Sequence, residues 1–391
     1  MIILFVQTMK RNDKSNVLII TGVDPTRAYS CVKYLHLLLK KNNFNVDTWC
    51  CTPKDTVSAF EKWNGNIHSF RNTKMGSIPK IRSLYTTIFG LIIGIKYRNN
   101  IIICHDLYHY ASCAIVKKLF PKTIFIHYCT EIYGEKNKFI HRFQNWLYSK
   151  MPNVPDLIIE CDDLRLKYRK EKLKIRKNQV TILNTIPKEE IYEYIQKNKE
   201  IHDNPIITYS GRVGSIDDIK IFIDALSGVG EQYQLKLYCY GSENTLDELE
   251  SYCNIKIPDK YVLYRNNTRE NTLKQVSMAD IGFVYYDPTY SINTLYAAPT
   301  KFFEYIGLGL PVISSGNESL KKIIKDYMIG FVMEKNDENG LRECIIKALK
   351  DPINLRMMAN NCRNSFENFL CYEEQCKGAL DSILELAKAR N

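Results

Sequence analysis

What most constrains this chain is an alternation that runs, stops and starts again. From Lys14, short apolar or β-branched runs alternate with stretches of helical period: NVLIIT, the helix around CVKYLHLLLKK, FNVDTW, then IIIC (101–104), TIFIHY (123–128), DLIIE (156–160) and VTIL (180–183). Strands separated by helical crossovers pair in parallel, in a sheet whose two faces the helices cover. After the charged, weakly hydrophobic stretch KEEIYEYIQKNKEIHDNP (188–205) the pattern resumes with PIITYSG, QLKLYCYG, YVLY, DIGFVYY, LPVISS and GFVM. Such a restart marks a second domain of the same α/β architecture, and a chain of 391 residues suits two cores better than one. The expected division is a first domain over 1–187, a second over 204–351, and helices over 352–391 that pack back on the first domain.

Charge separates the two halves. The total is +11, but residues 1–200 carry 33 Lys+Arg against 17 Asp+Glu, a surplus of +16, whereas residues 201–391 sum to −5. The first half is expected to attract anionic partners, of which nucleic acid and an anionic membrane leaflet are the usual ones. Eight of its basic residues fall within 165–177: Arg165, Lys167, Arg169, Lys170, Lys172, Lys174, Arg176 and Lys177. No recognition motif or stacking module accompanies them, so nucleic acid is not expected as a partner. They read as a solvated helix face, or as a surface for a membrane or an anionic acceptor.

Thirteen cysteines are an odd number, Cys50 adjoins Cys51, no C-x-x-C occurs, and Cys104, Cys129 and Cys239 lie in or beside apolar runs. That usage fits reduced thiols in a cytosol. The opening MIILFV precedes Lys10, Arg11 and Lys14, the reverse of a signal peptide's order. TIFGLIIGI (87–95) has about half the length that crosses a bilayer. The helix around it is expected to be buried, with an interfacial helix as the alternative. The expected location is cytoplasmic and peripheral at the inner membrane face.

Two segments of the second half carry chemistry. In TLYAAPTKFFEYIGLGLPVISSG (294–316), about 100° per residue places Lys301, Glu304 and Tyr305 on one side of a helix and Phe302, Phe303 and Ile306 on the other. An exposed i,i+3 ion pair accounts for Lys301 and Glu304 equally well. Position favours a ligand, because helices of parallel α/β units begin at the sheet edge where ligands bind. Pro299 suits the first helical position. A cation at the positive end of a helix is misplaced unless an anion arrives. In ITYSGRVGS (207–215), a strand runs into Gly211, Arg212 and Gly214, so that backbone amides can approach a phosphate and a guanidinium can grip it.

PTKFFEYIGLGLPVISS resembles the nucleotide-sugar signature of glycosyltransferase family 4 and its relatives. Over about residues 17 to 350 the landmarks NVLIITGVDPTR, CHDLYHYASCAIVKKLF, HYCTEIYGE, LIIECDDLR, ILNTIP and ITYSGRVGS follow the order of that family. The resemblance implies a GT-B fold, two Rossmann-like domains facing across a cleft, here with a helical C-terminal segment. It implies retaining, metal-independent transfer from a nucleotide-diphosphate sugar, a UDP-sugar being favoured, to a glycan or lipid-linked acceptor in surface polysaccharide synthesis, with no further cofactor. Donor binding then falls to Gly211, Arg212, Tyr296, Thr300, Lys301 and Glu304. Glu304 takes the ribose hydroxyls, while Arg212 and Lys301 neutralise the diphosphate and the charge that develops on it. Arg212, Lys301 and Glu131 are the catalytic candidates, and Asp24, Arg27 and His105 the acceptor-binding ones. The chain departs from the family at Tyr296, where a glutamate is frequent, at Asp217, where a lysine is frequent, and at Thr130, where a histidine precedes the glutamate. Of the family's glycine-rich first loop it keeps Gly22. These departures motivate the alternative of a catalytically silent GT-B subunit that binds nucleotide sugar.

Two metal readings compete. Glu160, Asp162 and Asp163 outline the acidic motif of a GT-A enzyme, but an aspartate before the basic helical run is better placed as a helix cap. Cys104, His105 and His109 lack a fourth ligand at sensible spacing. No metal site is expected.

Overall fold

The computed structural model describes residues 16–22, 30–50, 66–69, 79–132, 146–196 and 199–390. The chain divides into two compact units, one of residues 1–183 with 375–391 and one of residues 184–374.

In the first unit, strands β1 (Asn16–Thr21), β2 (Asn45–Cys50), β3 (Asn66–Ser69), β4 (Ile101–His105), β5 (Ile124–Cys129), β6 (Leu157–Glu160) and β7 (Asn178–Thr181) form one sheet in the order β3-β2-β1-β4-β5-β6-β7. All its pairings are parallel. The continuous apolar runs of β4 and β5 are buried along their whole length, as a sheet covered on both faces requires. β3, with the sequence NIHS, carries no apolar run and went unread in the sequence; it is added at the edge by pairing with β2. The order reverses between β1 and β4, which opens a crevice at the C-terminal ends of those strands.

The 79–96 helix, which contains TIFGLIIGI, packs along the 110–119 helix. Gly90 and Gly94 make that approach possible: a Cβ on Gly90 would lie 2.8 Å from His109 Nδ1, and one on Gly94 2.9 Å from Val116 Cγ2. Its apolar sequence therefore serves helix packing. Among the described residues no helix is long and apolar enough to cross a membrane. The twelve described cysteines are all buried, free thiols. The opening MIILFV lies outside the described residues.

The second unit holds β8 (Ile206–Arg212), β9 (Gln234–Tyr240), β10 (Tyr261–Arg265), β11 (Ile281–Val284), β12 (Val312–Ser314) and β13 (Gly330–Val332) in a parallel sheet of order β10-β9-β8-β11-β12-β13, which reverses between β8 and β11. The 300–307 helix covers that reversal. Phe302, Phe303, Tyr305 and Ile306 are wholly buried, and each such side chain contributes about 1.5–3 kcal/mol of transfer free energy. Two sequence expectations change here. Pro299 is the N-cap of this helix, with extended backbone, and Thr300 is its first residue. Tyr305, set by the helical period beside the charged pair, is buried because its hydroxyl accepts a hydrogen bond from Ser210 N at 2.7 Å and lies 3.0 Å from Ser210 Oγ.

The C-terminal helices divide between the units, whereas the sequence reading kept 352–391 together. The 352–365 helix and the π turn 366–370 belong to the second unit, where Phe366 packs beside Gly307. The 377–390 helix belongs to the first unit and packs on β6 and β7, with Ala379 and Ile383 buried.

Gly282 on β11 has no room for a side chain, since a Cβ there would lie 2.4 Å from Tyr305 Cδ2. Gly282→Ala is expected to displace the Tyr305 ring, break its bond to Ser210 and cost about 1–3 kcal/mol by chemical denaturation. An unchanged unfolding midpoint would show that the ring is not wedged there.

Candidate functional site

β8 ends in Ser210-Gly211-Arg212 and its neighbour β11 runs into Tyr285-Tyr286, so the reversal point of the second sheet lies between these two strand ends. Lys301 enters it from the first turn of the 300–307 helix. Its Nζ stands 4.1 Å from the ring centroid of Tyr209 and 5.9 Å from that of Tyr286. Gly211 makes the space: its φ of +153° suits glycine, and a Cβ there would lie 2.6 Å from Lys301 Nζ. The ammonium is thus held over aromatic faces and against bare backbone, one residue from Arg212. Among the described residues, no carboxylate lies within ion-pair distance of Lys301 or of the exposed Arg212 guanidinium. Burial pulls the Lys301 pKa down to about 8, against the pull of Cys239, Glu304 and Asp218, so at neutral pH the group is still a cation.

The lysine and glutamate read from the sequence as a candidate pair are not paired. Glu304 Oε1 instead accepts from Arg269, Nε at 3.1 Å and Nη2 at 2.8 Å, and the Nη1 of the same guanidinium donates to Glu190. Arg269 and Glu190 were not singled out in the sequence, and only the fold brings them to Glu304.

The glycine loop also differs from expectation. The amide of Gly214, expected to approach a phosphate, and that of Ser215 both donate to Asp218 Oδ2, at 2.7 and 3.2 Å, within a capping box that starts the turn 216–218. With those amides occupied by the chain's own carboxylate, neutralising an anion here falls to side chains. Asp217 is exposed. Thr300 and Tyr296 are half-buried, Tyr296 as the C-cap of the short 292–295 helix.

In the first unit a second polar cluster forms at the C-terminal ends of β1, β4, β5 and β6. Asp106, just beyond β4 and in the left-handed region at φ +56°, accepts from Thr130 N at 2.8 Å, Thr130 Oγ1 at 2.9 Å and Glu131 N at 3.2 Å. His105 is fully buried, with Nδ1 3.0 Å from Thr21 Oγ1 and Nε2 3.1 Å from Thr130 Oγ1. The imidazole, expected as an acceptor contact, ties β1 to the 130–131 segment. Asp24 and Arg27, the other acceptor candidates, lie outside the described residues. Glu131 is half-buried, and burial together with Asp106 and Glu160 raises its pKa to about 7, against the opposing pull of Arg165.

The same cluster revises the solvated-face reading of the basic run and bears on the acidic trio. Of the eight basic residues in 165–177, Arg165 and Arg169 are buried. Arg169 pairs with the fully buried Glu160 at 2.6 Å and donates to Glu131 O at 3.1 Å, while Arg165 donates to Thr130 O at 2.5 Å. They reach inward because i and i+4 share one helix face, and that face meets a carboxylate the sheet has buried. The acidic trio of the GT-A reading is dispersed. Asp162 caps the 163–173 helix by accepting from Leu164 N and Arg165 N, and Asp163 accepts from Thr181 Oγ1 at 2.8 Å. Among the described residues no three His, Cys, Asp or Glu side chains are grouped so as to hold a metal ion.

Residues 190–365 match the family model of glycosyl transferases group 1. No curated protein sequence matches the chain. Among solved structures, a glycosyltransferase from Rickettsia africae superposes with a TM-score of 0.72 at 14% identity, over 96% of this chain and 100% of that one. HepE from Anabaena, in complex with UDP and glucose, gives 0.72 at 12% identity over 95% and 100% of the two chains. WaaG, a glycosyltransferase involved in lipopolysaccharide biosynthesis, gives 0.66 at 13% identity over 93% and 98%. At such identities the structures establish the fold, and the family match falls on the unit that holds Arg212, Lys301 and Glu304. The chain resembles the GT-B glycosyltransferases, in fold over nearly its whole length and in sequence over its second unit, and these matches support a glycosyltransferase of that type.

Proposed function

We propose that the protein transfers a hexosyl group from a nucleotide-diphosphate sugar to a hydroxyl of a glycan or lipid-linked acceptor. The observation that carries this reading is the pair of cations at the reversal point of the second sheet, Lys301 and Arg212, with no acid in ion-pair distance among the described residues. A half-buried ammonium costs free energy unless an anion compensates it, and a diphosphate arriving beside Arg212 supplies two or more negative charges. UDP is favoured as the nucleotide because HepE, of the same fold, is described in complex with UDP and glucose.

The chemistry follows from that placement. As the anomeric C–O bond breaks, negative charge collects on the leaving phosphate, where Lys301 and Arg212 already stand and need no reorganisation. They take the neutralising role that a divalent ion plays in other transferases. Glu304, held by Arg269, accepts from the ribose diol. Glu131, whose raised pKa suits proton exchange near neutral pH, is the candidate to hold the acceptor hydroxyl. Retention of anomeric configuration rests on the family resemblance. A role in surface polysaccharide synthesis at the inner membrane face rests on the +16 half of the sequence and on the likeness in fold to WaaG.

Arg212→Ala and Glu304→Ala are each expected to lower UDP-sugar turnover by about a hundredfold while circular dichroism shows a folded protein; parental rates in both would end the assignment. The Lys301 ammonium has a second signature. UDP affinity, measured by calorimetry between pH 6.5 and 9.5, should be level at low pH and fall above about 8 as the lysine loses its proton. The effect on the unliganded protein has the opposite sign. Because the folded-state pKa is depressed, the cost of the cation is complete below about 8 and is relieved as pH rises. Lys301→Met should therefore raise the melting temperature at pH 7 by about 2 °C or more while weakening UDP binding at every pH. For the membrane role, flotation should recover the protein with phosphatidylserine vesicles and not with phosphatidylcholine alone; equal recovery from both would remove it.

A further inference from the structure

Arg269 is the first residue of the 269–276 helix, whose N-cap Thr268 accepts from Asn271 N. Like Lys301, it is a cation at the positive end of a helix, where it lowers helix stability. Its side chain is half exposed, yet all three guanidinium nitrogens are engaged: Nε and Nη2 on the same oxygen of Glu304, and Nη1 on Glu190. The two carboxylates are each only 14% exposed. An exposed ion pair contributes little to stability. Here one cation instead lies between two shielded acids and brings their joint charge from −2 to −1.

We propose that Arg269 is the positioning residue for the nucleotide-binding carboxylate, fixing the rotation of Glu304 so that it can receive the two ribose hydroxyls; this rests on the donor-binding reading above. A carboxylate has about four lone-pair sites, and a vicinal diol needs two of them in a fixed direction. By loading both lone-pair sites of Oε1, Arg269 orients the carboxylate and leaves the two sites of Oε2 for the diol. It also shields an incoming diphosphate from Glu190 and Glu304, which without it would present two negative charges where a third anion has to bind. The sequence gives no hint of this, because residues 190, 269 and 304 are far apart along the chain.

The test reads the ribose preference directly. UDP, GDP and ADP are titrated against the protein alongside their 2′-deoxy counterparts. The wild type is expected to favour the ribose form of its nucleotide at least tenfold. Arg269→Gln should bring that ratio to within about twofold of unity, and Arg269→Lys, which keeps the charge but not the fork, should fall between. In a Glu304→Gln background, Arg269→Gln should change the ratio no further. Melting curves of each variant establish that it is folded, and a merely structural arginine would shift those curves without moving the ratio. If Arg269→Gln keeps the wild-type ratio, the positioning role is overturned while donor binding stands. If the wild type binds none of the three nucleotides, or shows no preference for the ribose form, the donor-binding reading falls and this inference falls with it.

Discussion

The Lys301 ammonium, packed over Tyr209 and against the bare backbone of Gly211, is the contact around which the second unit is arranged. Removing a cation from water without an acid beside it is unfavourable, so the surrounding parts have to hold it in place. Tyr305 anchors the helix to the end of β8 through Ser210 and fits only because Gly282 lacks a side chain. Phe302, Phe303 and Ile306 bury the opposite face of the helix. Gly307 leaves room for Ile191 and Phe366, so that the 352–365 helix and its π turn can close over the same element. Packing energy collected across this core maintains one electrostatically unfavourable placement, which is the usual relation between a scaffold and a binding site.

The first unit manages charge in the other way. Its buried acids Asp106 and Glu160 are compensated from within, the first by the amides and hydroxyl of the 130–131 segment and the second by Arg169. Because Arg165 and Arg169 also bond the carbonyls of Thr130 and Glu131, the peptide that carries Glu131 is held from both sides. The strong positive surplus of this half is thus not all surface field. Part of it is internal wiring that shapes one loop.

Most of the fold was legible because hydrophobic periodicity is a local property. The runs NVLIIT, IIIC and TIFIHY became β1, β4 and β5, and the restart after 188–205 became the second sheet. β3 escaped because NIHS has no apolar alternation and is a strand only through its neighbour. Lys301, Glu304 and Arg212 could be named as candidates because residue type and position in a βα unit point to the ligand edge. That Glu304 answers to Arg269 and not to Lys301 could not be read, since the helix period fixes the face of a side chain but not what stands opposite it. Asp218 is a similar case. Its capping box is a four-residue pattern, yet only coordinates show that the loop amides are thereby spent.

By itself, the sequence determined the two parallel α/β units, the placement of a glycine-flanked arginine and a lysine–glutamate turn at strand ends, and the uneven charge of the halves, because each depends on the order of residues a few positions apart. The tertiary structure decided which charges are balanced: Glu160 with Arg169, Glu304 with Arg269, the Gly214 and Ser215 amides with Asp218, and Lys301 and Arg212 with no acid in ion-pair distance among the described residues. The reason is range. Backbone preference acts within a turn or two of chain, whereas the balance of a buried charge is set by whatever the fold brings within a few ångströms, from any distance along the sequence.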